Sequence, residues 1–272
     1  HQPSDTPGHR QRHPQLHGEG GHPQPLRADR GCYLNSLLSL QQVKTALLDL
    51  LLPLKCLGCG REGDLICSSC RLSLPRVKLP LCQRCGDTVN EGTLCRSCLN
   101  YPLTIDGIRS VFLFQGTVRQ AILQLKYKHL KAVSIPLAQL LADFLDSHPM
   151  KGEVIVPVPL HPKRLRQRGY NQASLLAKEL SVLVGLPVAE GTLIRVRDAV
   201  PQARARSALE RRQNVKDAFV CRQGLEGKQV LLMHDVCTTG ATLDACATVL
   251  KAAGASSVWG LTVAREMFSS PS

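Results

Sequence analysis

The chain of 272 residues is 43% hydrophobic and 20% charged with a formal net charge of +13, a make-up that suits a globular protein with room for one α/β domain and a small accessory module. No stretch reaches the roughly 18 consecutive apolar residues of a membrane-spanning helix, so a membrane span is excluded and a cytoplasmic protein is expected. The positive surplus favours polyanionic ligands, either a pyrophosphate-bearing metabolite or nucleic acid.

Residues 1–31 are rich in His, Pro, Gln and Gly and offer little to bury, so a disordered tail is predicted over residues 1–35. Residues 36–54 are mostly apolar but interrupted by Gln41, Gln42, Lys44 and Asp49, the pattern of an amphipathic helix leading into the next module rather than of a secretory signal.

Eight of the twelve cysteines then fall between residues 56 and 98 as four C-x-x-C pairs: Cys56/Cys59, Cys67/Cys70, Cys82/Cys85 and Cys95/Cys98. A C-x-x-C turn aims two thiolates at one point, and two such turns complete the tetrahedral four-sulfur shell that zinc prefers. Residues 55–100 are therefore read as a double zinc ribbon with two structural zinc ions, either sequentially paired or interleaved. A disulfide framework would need an oxidising compartment. The metal supplies folding energy that so short a segment cannot gain from its own core, and chelation is expected to unfold the module while sparing the rest of the chain.

From residue 104 to 268 strand and helix signals alternate. Gly107–Gln115 alternates as a strand and Thr117–Lys126 follows as a helix carrying Val118, Ile122 and Leu125. A second helix over Ile135–Leu145 leads to a β-branched strand at Val154–Val158, and a third begins at about Asn171. The apolar strand Lys228–His234, a helix over Thr242–Ala252 and a strand over Val258–Ala264 complete an open, mostly parallel sheet flanked by helices.

The segment Val230–Thr242 reads strand, tight loop, helix. Asp235 stands where it can accept hydrogen bonds from sugar hydroxyls, and Thr238, Thr239, Gly240 and Ala241 offer hydroxyls and backbone N–H groups to a phosphate at a helix N-terminus. An apolar strand, an acid and then T-T-G-A-T resemble the 5-phosphoribosyl-1-pyrophosphate signature of type I phosphoribosyltransferases. That resemblance implies a phosphoribosyltransferase-like fold in which His234, Asp235, Cys237, Thr238, Thr239, Gly240, Ala241 and Thr242 line the ribose-phosphate site. Asp235 would be catalytic, and His234 takes the place of the first of two adjacent acids.

Two basic segments accompany this loop. Residues 161–216 hold twelve Lys/Arg against four Asp/Glu. Pro157–Gln172 reads as a loop whose Lys163, Arg164, Arg168, Gly169, Tyr170, Asn171 and Gln172 are candidates for a pyrophosphate or a nucleic-acid backbone. Arg195–Phe219, with Arg211 and Arg212, reads as a mobile flap. Lys126 and Tyr127 are candidates for the opposite wall.

The order of cysteine pairs, L-K-Y, P-V-P-L-x-x-x-R-x-x-x-R-G-Y-N-Q-A, R-R-x-N-x-x-x-A-F and D-V-x-T-T-G-A-T resembles the ComF (GntX-like) family over about residues 40–268. The resemblance implies a link to DNA uptake in natural transformation, with competence-machinery proteins as partners. Two readings stay open: a phosphoribosyltransferase using phosphoribosyl pyrophosphate and magnesium, or a non-catalytic factor that handles single-stranded DNA on the same arginines.

Overall fold

The computed structural model describes residues 54–197, 215 and 217–267, which belong to one compact unit. The tail expected over residues 1–35, all but the last residue of the helix expected over 36–54, and Arg211 and Arg212 lie outside the described residues.

The sheet is built from β1 (Gly107–Leu113), β2 (Val154–Pro157), β5 (Gln229–Cys237) and β6 (Ser257–Arg265) in the order β1-β6-β5-β2, every pair parallel. β3 (Leu193–Arg195) and β4 (Phe219–Cys221) form a separate antiparallel pair. They hold the two ends of the segment read as a flap, whose middle is not among the described residues.

Helices cover both faces, which is why β5 reads as a continuous apolar run. On one side α3 (Gly116–Tyr127) buries Val118, Ala121, Ile122 and Leu125, one stripe at helical spacing. α4 (Ser134–Ser147) and α6 (Gln172–Val184) join it over Leu231, Met233, Leu261 and Val263. On the other side α7 (Ala241–Ala252) lays Leu243, Cys246, Ala247 and Leu250 over Val230, Leu232 and Val258.

Pro157–Gln172, read as a loop, contains a short helix, α5 (Pro162–Arg168). His161 caps its start with a side-chain nitrogen, proline occupies the first turn, and Gly169 ends it. These stop signals outweigh the charge repulsion among Lys163, Arg164, Arg166 and Arg168.

The two cysteine modules repeat one design. Each opens with an antiparallel bridge, Lys55 to Glu62 and Leu81 to Thr88, and each ends in a five-residue helix, α1 (Ser68–Leu72) or α2 (Arg96–Asn100).

Neither module stands apart from the sheet. The linker between them runs antiparallel along β1, with Leu113 N–H donating to the Pro75 carbonyl at 2.7 Å and Arg76 opposite Phe112. Leu65, Ile66 and Leu74 belong to the core under α3 and α4, while Cys82, Cys85, Val89 and Cys98 belong to the core under α7. Gly86, at φ +71°, sits so close to β1 that a Cβ there would meet the Ile108 carbonyl oxygen at 2.3 Å. This shared packing runs against the expectation that loss of metal would spare the α/β domain.

Candidate functional site

β5 carries the chain to the carboxyl edge of the sheet, and three residues, Thr238 to Gly240, turn it into α7. Gly240 takes φ +81°, and a Cβ at this position would also meet Ile108 Cδ1 at 2.8 Å. The backbone hand therefore favours glycine, and a larger residue would also have to displace the Ile108 methyl. Thr239 Oγ1 accepts from Ala241 N–H at 3.4 Å, so the hydroxyl partly fills the role of a helix cap. His234, Val236, Cys237, Thr238, Gly240, Thr242 and Leu243 surround a hollow of about 10 Å³ at the start of α7, room for about one water. A helix N-terminus opening on such a hollow attracts anions.

His234 and Asp235 do not share that hollow. His234 lines it, whereas the Asp235 side chain is 1% exposed and turned toward α3. Lys126 Nζ lies 2.7 Å from Asp235 Oδ2, an ion pair without the alignment of a hydrogen bond, and Oδ1 accepts from Val236 N–H at 2.7 Å. Burial alone would raise the Asp235 pKa; the Lys126 charge, the His234 ring and these contacts outweigh it and bring it down to about 2. His234 Nδ1 stands 3.4 Å from Asp235 Oδ1 without a hydrogen bond, and burial pushes the imidazole below its ordinary value. Sequence reasoning placed Lys126 on the opposite wall but did not pair it with Asp235; only the fold brings the L-K-Y lysine to the end of β5.

The basic segment Pro157–Gln172 approaches from β2, whose last residue pairs with Met233, with Val158 N–H donating to the Met233 carbonyl at 3.0 Å. Lys163, Arg164 and Arg168 ride on α5, and the Arg168 guanidinium lies 5.4 Å from the centre of the Tyr127 ring. The residues after Gly169 are engaged within the fold. The buried Tyr170 hydroxyl donates to the Leu125 carbonyl, Asn171 caps α6 and donates to the Val158 carbonyl at 3.0 Å, and Gln172 Oε1 accepts from Arg168 at 2.5 Å. Together they fix the basic helix against the L-K-Y end of α3.

The cysteines group sequentially, which settles the pairing: Cys56, Cys59, Cys67 and Cys70 form one cluster and Cys82, Cys85, Cys95 and Cys98 the other, with all sulfurs of a cluster within 4.8 Å. Cys59 to Cys67 and Cys85 to Cys95 are each 3.6 Å apart, close to the roughly 3.8 Å edge of a tetrahedron with zinc–sulfur bonds of about 2.3 Å. Gly58 N–H and Cys67 N–H both point at Cys56 Sγ at 3.4 Å, donors suited to a thiolate. The Cys98 thiol draws Cys85 down to about 5, with the Arg265 charge assisting. The donor set and geometry fit a structural zinc site in each cluster.

Arg265, the last residue of β6, escaped the sequence reading. It is 3% exposed, and its Nη1 donates to the Cys85 carbonyl at 2.7 Å and to Cys237 Sγ at 3.4 Å, with Nε facing Asp87 Oδ1 at 3.3 Å. One guanidinium thus joins the second cysteine cluster to the residue that opens the β5–α7 loop.

Residues 47–99 match the family model described as a double zinc ribbon domain. Competence protein F of Haemophilus influenzae is 32% identical over 224 residues, covering 76% of this chain and 96% of that protein. The chain belongs to the ComF family. Among other ComF relatives, DNA utilization protein YhgH of Salmonella typhi is 32% identical over 199 residues, 71% of this chain and 87% of that protein. Competence protein ComFC of Bacillus subtilis is 27% identical over 213 residues, 75% and 86% of the two chains.

Solved structures similar to this ComF-family chain include a glutamine phosphoribosylpyrophosphate amidotransferase from Bacillus subtilis, 22% identical with a TM-score of 0.32 over 48% of this chain and 26% of that one. An adenine phosphoribosyl transferase from Trypanosoma brucei is 14% identical with a TM-score of 0.32 over 51% and 66%. No described helix is long and apolar enough to cross a membrane.

Proposed function

We propose that this ComF-family protein binds phosphoribosyl pyrophosphate or a related ribose phosphate at the β5–α7 loop. The observation that carries the reading is the loop itself, a glycine-dependent turn at the carboxyl end of a central parallel strand, opening a twelve-residue helix on a hollow lined by Thr238 and Thr242. The loop from Thr238 to Thr242 takes the 5-phosphate. Asp235, the only acid on β5, reaches the ribose hydroxyls once its contact with Lys126 opens. Lys163, Arg164 and Arg168, with Arg211 and Arg212, meet the pyrophosphate charge, which magnesium would accompany. Each cysteine cluster holds one structural zinc ion.

The test is calorimetric titration with phosphoribosyl pyrophosphate and magnesium, alongside Thr239→Val and Asp235→Asn. Saturable binding that both variants weaken supports the reading; no binding to the parent protein at millimolar ligand sinks it. Pyrophosphate release across a panel of bases and amines then reads whether binding leads to transfer.

A second reading, handling of single-stranded DNA in competence, is favoured by the relatives named for competence and DNA utilization and by the +13 net charge. Fluorescence polarisation with a labelled oligonucleotide, with and without phosphoribosyl pyrophosphate, separates the two. Competition places both ligands on the same arginines, and independent binding assigns DNA a different surface.

A further inference from the structure

A cavity of about 780 Å³ lies at the other end of the sheet from the β5–α7 loop. It is bounded by the linker between the cysteine modules, the amino-terminal halves of β1 and β6, and the segment that joins α4 to β2. Its volume is that of a small-molecule site, and its wall is mostly apolar with a few polar groups.

Two features of the wall specify the ligand. Arg76, Arg109 and Lys151 bring three permanent positive charges to the cavity, and no Asp or Glu lines it. Among the described residues none of the three has a carboxylate partner. Arg109 Nη1 donates to the Gln83 and Ile108 carbonyls at 3.2 and 2.8 Å, which leaves the other guanidinium donors uncommitted. Three cations on a wall without a carboxylate suit an anion supplied from outside.

The second feature is aromatic. Phe144 and His148 are stacked, with ring centres 4.7 Å apart and planes within 10°. Trp259 reaches the same cavity because Gly107 has no side chain; a Cβ there would meet Trp259 Cζ3 at 2.4 Å. The Arg109 guanidinium lies 5.4 Å from the indole centre. Stacking surfaces beside unpaired cations are the combination that holds a nucleobase and its phosphate.

We propose that this cavity binds a mononucleotide, with the base on the aromatic wall and the phosphate on Arg76, Arg109 and Lys151. The site is separate from the ribose-phosphate loop and does not depend on that reading.

Trp259 is the only tryptophan of the chain, so its emission reports on the cavity directly. The experiment titrates the full chain with AMP, GMP and dCMP while following that emission, with inorganic phosphate, ribose 5-phosphate and a single-stranded oligonucleotide as separate arms. Saturable quenching by at least one mononucleotide is expected, with no response to the two base-free phosphates and no displacement by phosphoribosyl pyrophosphate. Arg76→Glu and Lys151→Glu, both at exposed positions, should each weaken the response roughly tenfold or more while leaving the melting curve in place. A flat emission with every mononucleotide overturns the proposal. So does a response to the oligonucleotide alone, which would make the cavity part of a strand-binding surface, or quenching that both charge reversals leave unchanged.

Discussion

Replacing Lys126 by methionine should destabilise the protein more than replacing its partner Asp235 by asparagine, and should reverse the sign of one contribution to the pH dependence of stability. In the native pair the Asp235 carboxyl sits at about 2 against an ordinary 3.8, although its side chain is 1% exposed. That depression is worth about 2.5 kcal/mol at neutral pH, present above the unfolded value and lost as pH falls from near 4 through about 2. Without Lys126 the leading influence left on the carboxyl is burial, which raises its pKa above the unfolded value. Its contribution then falls as pH rises from about 4 toward 7, because the folded state holds a proton that the unfolded state has released. Removing one partner of a buried pair costs about 3–5 kcal/mol. Asp235→Asn should cost less, since Lys126 is 18% exposed and can turn to water.

Urea denaturation of both single variants and the double variant, repeated from pH 4 to pH 7, closes the cycle. A coupling of about 2 kcal/mol or more is expected, with the Lys126→Met protein gaining stability relative to the parent on acidification. A loss below about 1 kcal/mol for Lys126→Met with an unchanged pH slope would refute the reasoning, because a carboxylate so buried could not lose its countercharge without effect.

Metal analysis should return two zinc ions per chain, and one or none would break the eight-ligand assignment. Chelation should lower a single melting transition of the whole unit, because cysteine-module residues sit in both cores; two separate transitions would show that the modules fold independently. Gly240→Ala, which needs an alanine at φ +81° and 2.8 Å from Ile108 Cδ1, should cost about 1–3 kcal/mol in urea denaturation and weaken ribose-phosphate binding. Arg265→Met should cost about 1–3 kcal/mol by stranding the Cys85 carbonyl, and should quicken zinc loss to a chelator from one of the two sites.

Features written in local spacing were legible. The four C-x-x-C pairs specify two four-thiol clusters because the geometry of each turn lies within four residues, and the helices of Val118 or Leu137 announce themselves by period. The β5 strand was expected to end at His234 and continues to Cys237, since a polar His-Asp pair gives no sign that the ladder to β6 persists. α5 was hidden by the charge density of Lys163 to Arg168, although Pro162 and Gly169 marked its ends. Period two does place His234 and Asp235 on opposite sides of β5, but which side is closed depends on where α3 packs, more than a hundred residues earlier in the chain. The Lys126 pair has the same origin: a contact between a helix and a strand far apart in the chain leaves no spacing signature.

A loop of backbone amides holds a phosphate only as well as its own backbone is held, because a loose array must be ordered again at each binding event. The β5–α7 loop is anchored on three sides. Gly240 is pressed against Ile108 of β1, Cys237 is paired in register with Arg265 of β6, and Asp244 of α7 accepts from Thr104 and Ile105 N–H at 2.6 and 3.0 Å. The first of these strands is itself braced by the second cysteine module, with Ile108 N–H donating to the Arg84 carbonyl at 2.7 Å, and Arg265 carries that bracing to Cys237. The cysteine modules therefore do more than extend the chain at its amino-terminal side: they form part of the wall against which the candidate phosphate loop is set.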